Sequence, residues 1–117
     1  MKRDIAKVHI SALPHTLSSR MGEGFVASLY RVVWRIGYVK CVKREEKIVG
    51  VTSGIGDWIL TLVVDPEWQR RGIGRELIAQ LNGRRYVYTD ECSVKFYEKM
   101  GFVRIFEVGK TIFLWRK

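Results

Sequence analysis

Two cysteines, two histidines and two prolines are all that this 117-residue chain carries of those residues. Each scarcity excludes something. Cys41 and Cys92 have no spaced framework for disulfides, so a reducing, cytoplasmic setting is expected. His9 and His15 share no ligand spacing with the cysteines or with each other, so no metal is expected. Pro14 and Pro66 fall where the pattern places element boundaries. Long apolar runs are missing too. The longest, Trp58-Ile59-Leu60-Thr61-Leu62-Val63-Val64, is far short of the roughly 20 residues that cross a bilayer, so no membrane partner is expected. Met1-Lys2-Arg3-Asp4-Ile5 is basic but leads into no apolar stretch, so no secretory signal is expected. No repeat, low-complexity stretch or linker interrupts the chain, and residues 1–117 read as a single domain.

Acidic residues are also few: 12 against 21 basic ones, a net charge of +9. Such a surface attracts nucleic acid, acidic membranes or phosphorylated ligands. The basic residues are scattered, however, with local pairs only at Arg70-Arg71 and Arg84-Arg85 and no run of five or more like charges. This disfavours a nucleic-acid protein. What is plentiful is apolar: 47% of residues are hydrophobic, enough for a real core without disulfides or metal.

The elements follow from periodicity and punctuation. Residues 4–11 read as a first strand with weak alternation. Pro14 opens a helical region to about Arg35, in which Met21, Phe25, Leu29 and Val32/Val33 recur at helical spacing, with a break expected at Gly22 and Gly24. Gly37 punctuates. Tyr38–Arg44 and Ile48–Ser53 form a hairpin around Glu45-Glu46-Lys47. Residues 58–64 are apolar on both faces, as a central, doubly covered strand would be. Pro66 ends it. Ile73, Leu77, Ile78 and Leu81 share one side of a helix that Asn82-Gly83 stops. Tyr86–Thr89 is a short strand. Asp90 or Ser93 caps a helix running to about Met100, with Gly101 as its stop. Phe102–Val108 and Thr111–Arg116 make a last hairpin. The order is that of an α+β or mixed α/β layer, with helices on both sides of one sheet.

One turn carries chemistry. A strand feeds Val64-Asp65-Pro66-Glu67-Trp68-Gln69-Arg70-Arg71-Gly72-Ile73-Gly74, and a helix begins near Gly72. The first turn of a helix leaves N–H groups without partners, and its dipole places partial positive charge there, which suits an anion. Gly72 and Gly74 let phosphate oxygens approach the backbone, and Arg70, Arg71 and Arg75 add charge against a diphosphate. A third glycine is missing, so this is no dinucleotide fingerprint. No Gly-Lys-Ser/Thr follows, so it is no Walker A loop.

Gln69-x-x-Gly72-x-Gly74 after a strand ending in Val-x-Pro, followed by Phe96-Tyr97-Glu98-Lys99-Met100-Gly101-Phe102, resembles the GNAT superfamily of N-acetyltransferases. The specific motifs cover about residues 58–102, and the element order extends the likeness over nearly the whole chain. The resemblance implies a three-layer α-β-α fold, with a mixed, mostly antiparallel sheet of about six to seven strands and about four helices. It implies acetyl-CoA as co-substrate and direct attack of an amine acceptor on the thioester. Leu62, Val63 and Val64 would pair with the pantetheine arm. Gln69, Arg70, Arg71, Gly72, Ile73, Gly74 and Arg75 would carry the pyrophosphate. Asp90 stands where the family often has Asn, and could accept from the pantetheine amides. Phe96 would lie along the cofactor or in the core. Tyr97 matches the tyrosine that protonates the departing thiolate; a phenol of pKa about 10 is protonated at neutral pH and can do so. Cys92 could face the thioester, and a buried, inert thiol is the plainer reading. Some members carry a basic Glu where this chain has Trp58, which leaves Asp57, Glu23 or a water chain as the base. The acceptor cleft would form from residues 15–35 and the last hairpin, with Phe25, Tyr30, Trp34 and Trp115 as aromatic candidates. A homodimer is compatible with this reading. The alternative is a non-catalytic acyl-CoA sensor of the same fold.

Overall fold

The computed structural model describes residues 2–12 and 22–117. The expected helix start at Pro14 and the Met21 position lie outside them. Helices α1 (Lys2–Ala12) and α2 (Glu23–Ile36) precede strands β1 (Tyr38–Arg44), β2 (Lys47–Ile55) and β3 (Trp58–Val64). A 3-10 turn, Pro66–Trp68, leads into α3 (Ile73–Ala79), then β4 (Arg85–Thr89), α4 (Glu91–Lys99), β5 (Val103–Val108) and β6 (Thr111–Arg116). The six strands form one sheet in the order β1-β2-β3-β4-β6-β5. Every pairing is antiparallel except β3 with β4. This is the mixed, mostly antiparallel α/β architecture expected from the sequence.

The first element is a correction. Residues 4–11 read as a strand on weak alternation. They are helical, because the buried positions are Ile5, Ala6, Val8 and His9. That spacing follows a period near 3.6 rather than 2. In α2, Phe25, Leu29 and Val32, whose spacing marked the helix, are exposed, and the buried face is Val26, Ala27 and Tyr30. The helix carries two apolar stripes. Only the one that meets α1 and the sheet is covered.

The core lies on both faces of the sheet. On one, α1 and α2 bury Ile5, Val8, Val26 and Tyr30 against Ile48, Val51 and Val63. On the other, the end of α3 and α4 bury Ile78, Val94, Tyr97 and Phe102 against Ile59, Val87, Ile112 and Leu114. A third group, Val42, Val49, Ile73 and Leu77, seats the start of α3 on β1 and β2.

Two details of β3 position the site. It pairs with β4 only at Trp58↔Tyr86 and Ile59↔Val87. Its edge from Leu60 to Val64 is therefore not paired by β4, although β2 holds it on the other side up to Gly50↔Val64. The register with β2 also slips, since Ser53 faces Thr61 and Gly54 faces Ile59. The extra residue, Leu60, is a bulge that changes which face follows. After it, Leu62 and Val64 point toward α3 while Val63 points into the α1/α2 core. The expectation of a strand covered on both faces is correspondingly only half met: Trp58 is 40% exposed and Leu60 37%.

The β1–β2 turn places Glu45 at φ 52° and Glu46 at φ 65°. Both are left-handed positions, as in the hairpin turns that favour Asn-Gly. Replacing Glu45-Glu46 with Asn-Gly should therefore stabilise the fold by about 1 kcal/mol, read as an increase in the denaturation midpoint at unchanged slope.

Candidate functional site

Where β3 and β4 part, a cleft of about 780 Å³ opens on the α3/α4 face. That volume suits a sizeable organic ligand. Its walls are Leu62 and Val64 from β3, the loop and first turn of α3, and Phe96, Tyr97 and Met100 from α4. The structure thus gathers Leu62, Val64, Gln69, Arg70, Gly72, Ile73, Gly74, Arg75, Phe96 and Tyr97 around one space. Three singled-out residues stand outside that lining: Val63, Arg71 and Asp90. The Val63 side chain is buried on the opposite face. Arg71 lays its guanidinium over the Trp68 ring, 4.8 Å from the centroid.

Asp90 is the N-cap of α4. Its carboxylate accepts from the Cys92 and Ser93 N–H groups at 3.0 and 3.2 Å. The capping reading of Asp90 holds, and its oxygen is committed to the helix. Asp90→Ala should cost about 1 kcal/mol. It should lower Tm by about 4 °C in a thermal melt, and Asp90→Asn should recover most of that loss.

The loop owes its shape to specific residues. Asp65 accepts from the Glu67 N–H at 2.9 Å, and Gln69 Nε2 donates to the Val64 carbonyl at 3.2 Å. Gln69 therefore ties the loop to the end of β3. Arg70 (φ 64°) and Gly72 (φ 81°) are left-handed. A Cβ on Gly72 would meet open space, so glycine is needed there for conformation. Gly74 is needed for space: a Cβ there would sit 2.9 Å from the Phe96 ring. The first intrahelical bond of α3 runs from the Glu76 N–H to the Gly72 carbonyl. The N–H groups of Ile73, Gly74 and Arg75 precede it and have no partner within the helix. Since α3 is only two turns long, its dipole is modest. Attraction for an anion comes chiefly from those N–H groups with Arg70, Arg75 and Lys99, all of which line the cleft. The one acid in the first turn, Glu76, is held by Arg44.

Tyr97 is a buried part of the cleft lining, edge-on to Phe96 and Phe102. Burial pushes its phenol well above its ordinary pKa, and the Tyr38 phenol adds to the shift. Tyr38, whose hydroxyl donates to the Trp58 carbonyl at 3.3 Å, carried no signal in the sequence beyond its place in a strand. Trp68, Cys92, Ser93, Lys99 and Met100 also line the cleft. Cys92 is exposed, which overturns its reading as a buried thiol.

The candidate bases lie elsewhere. Asp57 is exposed in the β2–β3 turn, where Arg84 interacts with it electrostatically. Glu23 opens α2 and already has a partner. Among the described residues no group of three His, Cys, Asp or Glu side chains could hold a metal ion. None of the described helices is long and apolar enough to cross a membrane.

Across the sheet from the cleft, β4, β5 and β6 carry an aromatic face. Trp58 stacks toward Tyr86 and Tyr86 toward Trp115, at centroid distances of 5.4 and 6.1 Å. Phe113 meets Tyr88 and Phe106 at 6.1 and 4.5 Å. Of the four aromatics expected at an acceptor cleft, only Trp115 belongs to this face. Phe25 and Trp34 lie exposed on α2, and Tyr30 is buried.

Comparison with known proteins bears on this geometry. Residues 26–104 match the acetyltransferase (GNAT) domain family. No curated protein sequence matches the chain. Solved structures resemble it in fold. A protein from Pyrococcus horikoshii OT3 superposes with a TM-score of 0.80 at 22% identity, over 99% of this chain and 89% of that one. The PaiA N-acetyltransferase of Thermoplasma acidophilum, in complex with coenzyme A, gives 0.73 at 15% identity over 99% and 92%. YncA from Salmonella typhimurium, with its cofactor acetyl-CoA, gives 0.76 at 16% identity over 99% and 87%.

Proposed function

This chain belongs to the acetyltransferase (GNAT) domain family, and from that premise we propose that it is an acetyl-CoA-dependent N-acetyltransferase acting on a primary amine. The observation that carries the proposal is the cleft that joins the start of α3 and the loop before it, Leu62 and Val64 of the open edge of β3, and Tyr97. An unpaired strand edge offers alternating N–H and C=O groups, which suit the two amides of a pantetheine arm laid alongside as an added strand. The diphosphate then meets the free N–H groups of α3 with Arg70 and Arg75, and the thioester comes to the end where Tyr97 sits.

The amine approaches through the gap between β3 and β4, from the face on which Trp58 and Thr61 project. Its nitrogen forms a bond to the thioester carbonyl carbon, and the C–S bond breaks. Tyr97 gives its proton to the departing sulfur, and the attacking nitrogen gives one up. The raised pKa of Tyr97 keeps that proton in place at neutral pH. Holding both reactants in line across the sheet supplies much of the rate.

The test is release of free coenzyme A from acetyl-CoA across a panel of primary amines, with calorimetry of acetyl-CoA binding alongside. Saturable, amine-dependent release is expected. Tight binding without release from any amine favours the sensor reading instead. Absence of binding contradicts both.

A further inference from the structure

Under β3, on the face opposite the cleft, a chain of polar side chains runs through an otherwise apolar core. His9 Nδ1 lies 2.9 Å from the Tyr30 hydroxyl, and the rings meet edge to face at 5.6 Å. The Tyr30 hydroxyl lies 3.2 Å from Thr61 Oγ1, which lies 2.6 Å from Ser53 Oγ. Thr52 Oγ1 donates to the Thr61 carbonyl at 2.8 Å. His9, Tyr30, Thr52 and Ser53 are all buried, at 7%, 3%, 0% and 1% exposure. Their surroundings are Ile5, Val8, Val26, Val51 and Val63. Only Thr61, on β3 immediately after the bulge, is partly open. Burying an imidazole and a phenol costs free energy that an apolar pair would not. The fold hydrogen-bonds the phenol to the strand whose other face lines the cleft, and the imidazole to the phenol.

We propose that Thr61, Tyr30 and His9 form a proton relay that removes the proton released by the attacking amine, with Thr61 as its outer end. This rests on the acetyltransferase reading. In the step, the nitrogen–carbon bond forms and the amine N–H proton passes to Thr61 Oγ1. The Thr61 hydroxyl proton passes to the Tyr30 oxygen, and the Tyr30 proton passes to His9 Nδ1. Tyr97 meanwhile protonates the sulfur. One proton enters at His9 and one leaves from Tyr97, and solvent resets both. Tyr30 donates toward Thr61 in the resting arrangement. Rotation of the two hydroxyls reverses the chain, with the Nε2–H tautomer of His9 as acceptor.

The surroundings suit these roles. Burial lowers the His9 pKa, so the ring is a neutral base at pH 7. Burial raises the Tyr30 pKa to about 12, partly offset by the Thr61 hydrogen bond, so the phenol passes protons without ionising. Among the described residues, the groups packed near the relay include the Cys41 thiol of β1, itself shifted upward by burial, and the hydroxyls of Thr52 and Ser53; His9 has a further interaction of its own besides Tyr30. The acids at the N-terminal ends of the two helices, Asp4 and Glu23, each have interactions of their own.

The relay is tested by kcat/KM for coenzyme A release against pH. The acceptors are the best amine of the panel and aniline, whose NH2 group stays neutral, not ammonium, over the range scanned. The His9 pKa is measured separately by imidazole 15N NMR. Wild type should lose activity as pH falls, with an apparent pKa equal to the NMR value and below the ordinary 6.5 of histidine. Thr61→Val, which keeps the shape, should lower kcat about 10²-fold, with acetyl-CoA affinity and the His9 NMR titration unchanged. Tyr30→Phe should act similarly, and Thr61→Ser should restore most of the rate. Wild-type turnover in Thr61→Val, or an acidic limb that does not follow His9, overturns the relay alone. Absence of turnover in wild type with every amine overturns the transferase reading and the relay together.

Discussion

Tyr97→Phe should lower kcat for amine acetylation by about 10²-fold or more, with acetyl-CoA affinity unchanged. The ring is packed between Phe96 and Phe102 and contributes to the core by its shape. Phenylalanine keeps that shape and removes only the hydroxyl, so folding and cofactor binding should survive. What is lost is the proton for a departing thiolate. The pH dependence has a definite sign. A general acid works only while protonated, and the folded pKa of Tyr97 lies above the ordinary phenol value of about 10. Activity that depends on it is therefore complete at neutral and mildly alkaline pH and declines only as pH rises through that raised value. Because the Tyr38 phenol contributes to the shift, Tyr38→Phe should bring the alkaline limb to lower pH. A Tyr97→Phe enzyme with wild-type kcat would assign the thiolate proton to another donor.

Removing Arg70 and Arg75 together should weaken acetyl-CoA binding by about 10²-fold. Charge-assisted hydrogen bonds contribute about 1.5–3 kcal/mol each, discounted here because both arginines are exposed and screened. The effect should shrink as salt is added. S-acetyl-pantetheine lacks the diphosphate and serves as the internal control: its affinity should be the same in wild type and in the double variant. Calorimetry with both donors reads this directly. Equal losses for the two donors would mean that the arginines shape the loop rather than meet the phosphates. Arg71 is engaged with Trp68, and Arg71→Ala should have the smaller effect.

Much of the site was legible because its signals are local. A strand end, Pro66, two glycines and three arginines within twelve residues define a turn whose chemistry hardly depends on the rest of the chain. Tyr97 was legible through its neighbours, Phe96 and Gly101-Phe102, which fix the helix end that carries it. The illegible parts depend on contacts distant in sequence. Residues 4–11 could alternate as a strand until α2 and β2 supply a partner for a helical face. Either stripe of α2 could face inward, and the choice is made by α1. The bulge at Leu60 and the early end of β3–β4 pairing leave no mark in composition, yet they separate the Leu62 face from the Val63 face and open the cleft. The glycine at 74 was read as room for a phosphate, and the structure adds a second cause in the Phe96 ring. The link from His9 through Tyr30 to Thr61 joins residues 21 and 31 positions apart, beyond the reach of any motif.

The central claim is that the cleft between β3 and the start of α3 holds acetyl-CoA. Titration of the 15N-labelled protein with coenzyme A, followed by amide chemical shifts, tests it directly. The account predicts saturable shifts concentrated at Leu62–Val64 and Gln69–Arg75, with smaller ones at Phe96 and Tyr97. Saturable shifts centred on the aromatic face of β4, β5 and β6, or no saturable shifts at all, would contradict it.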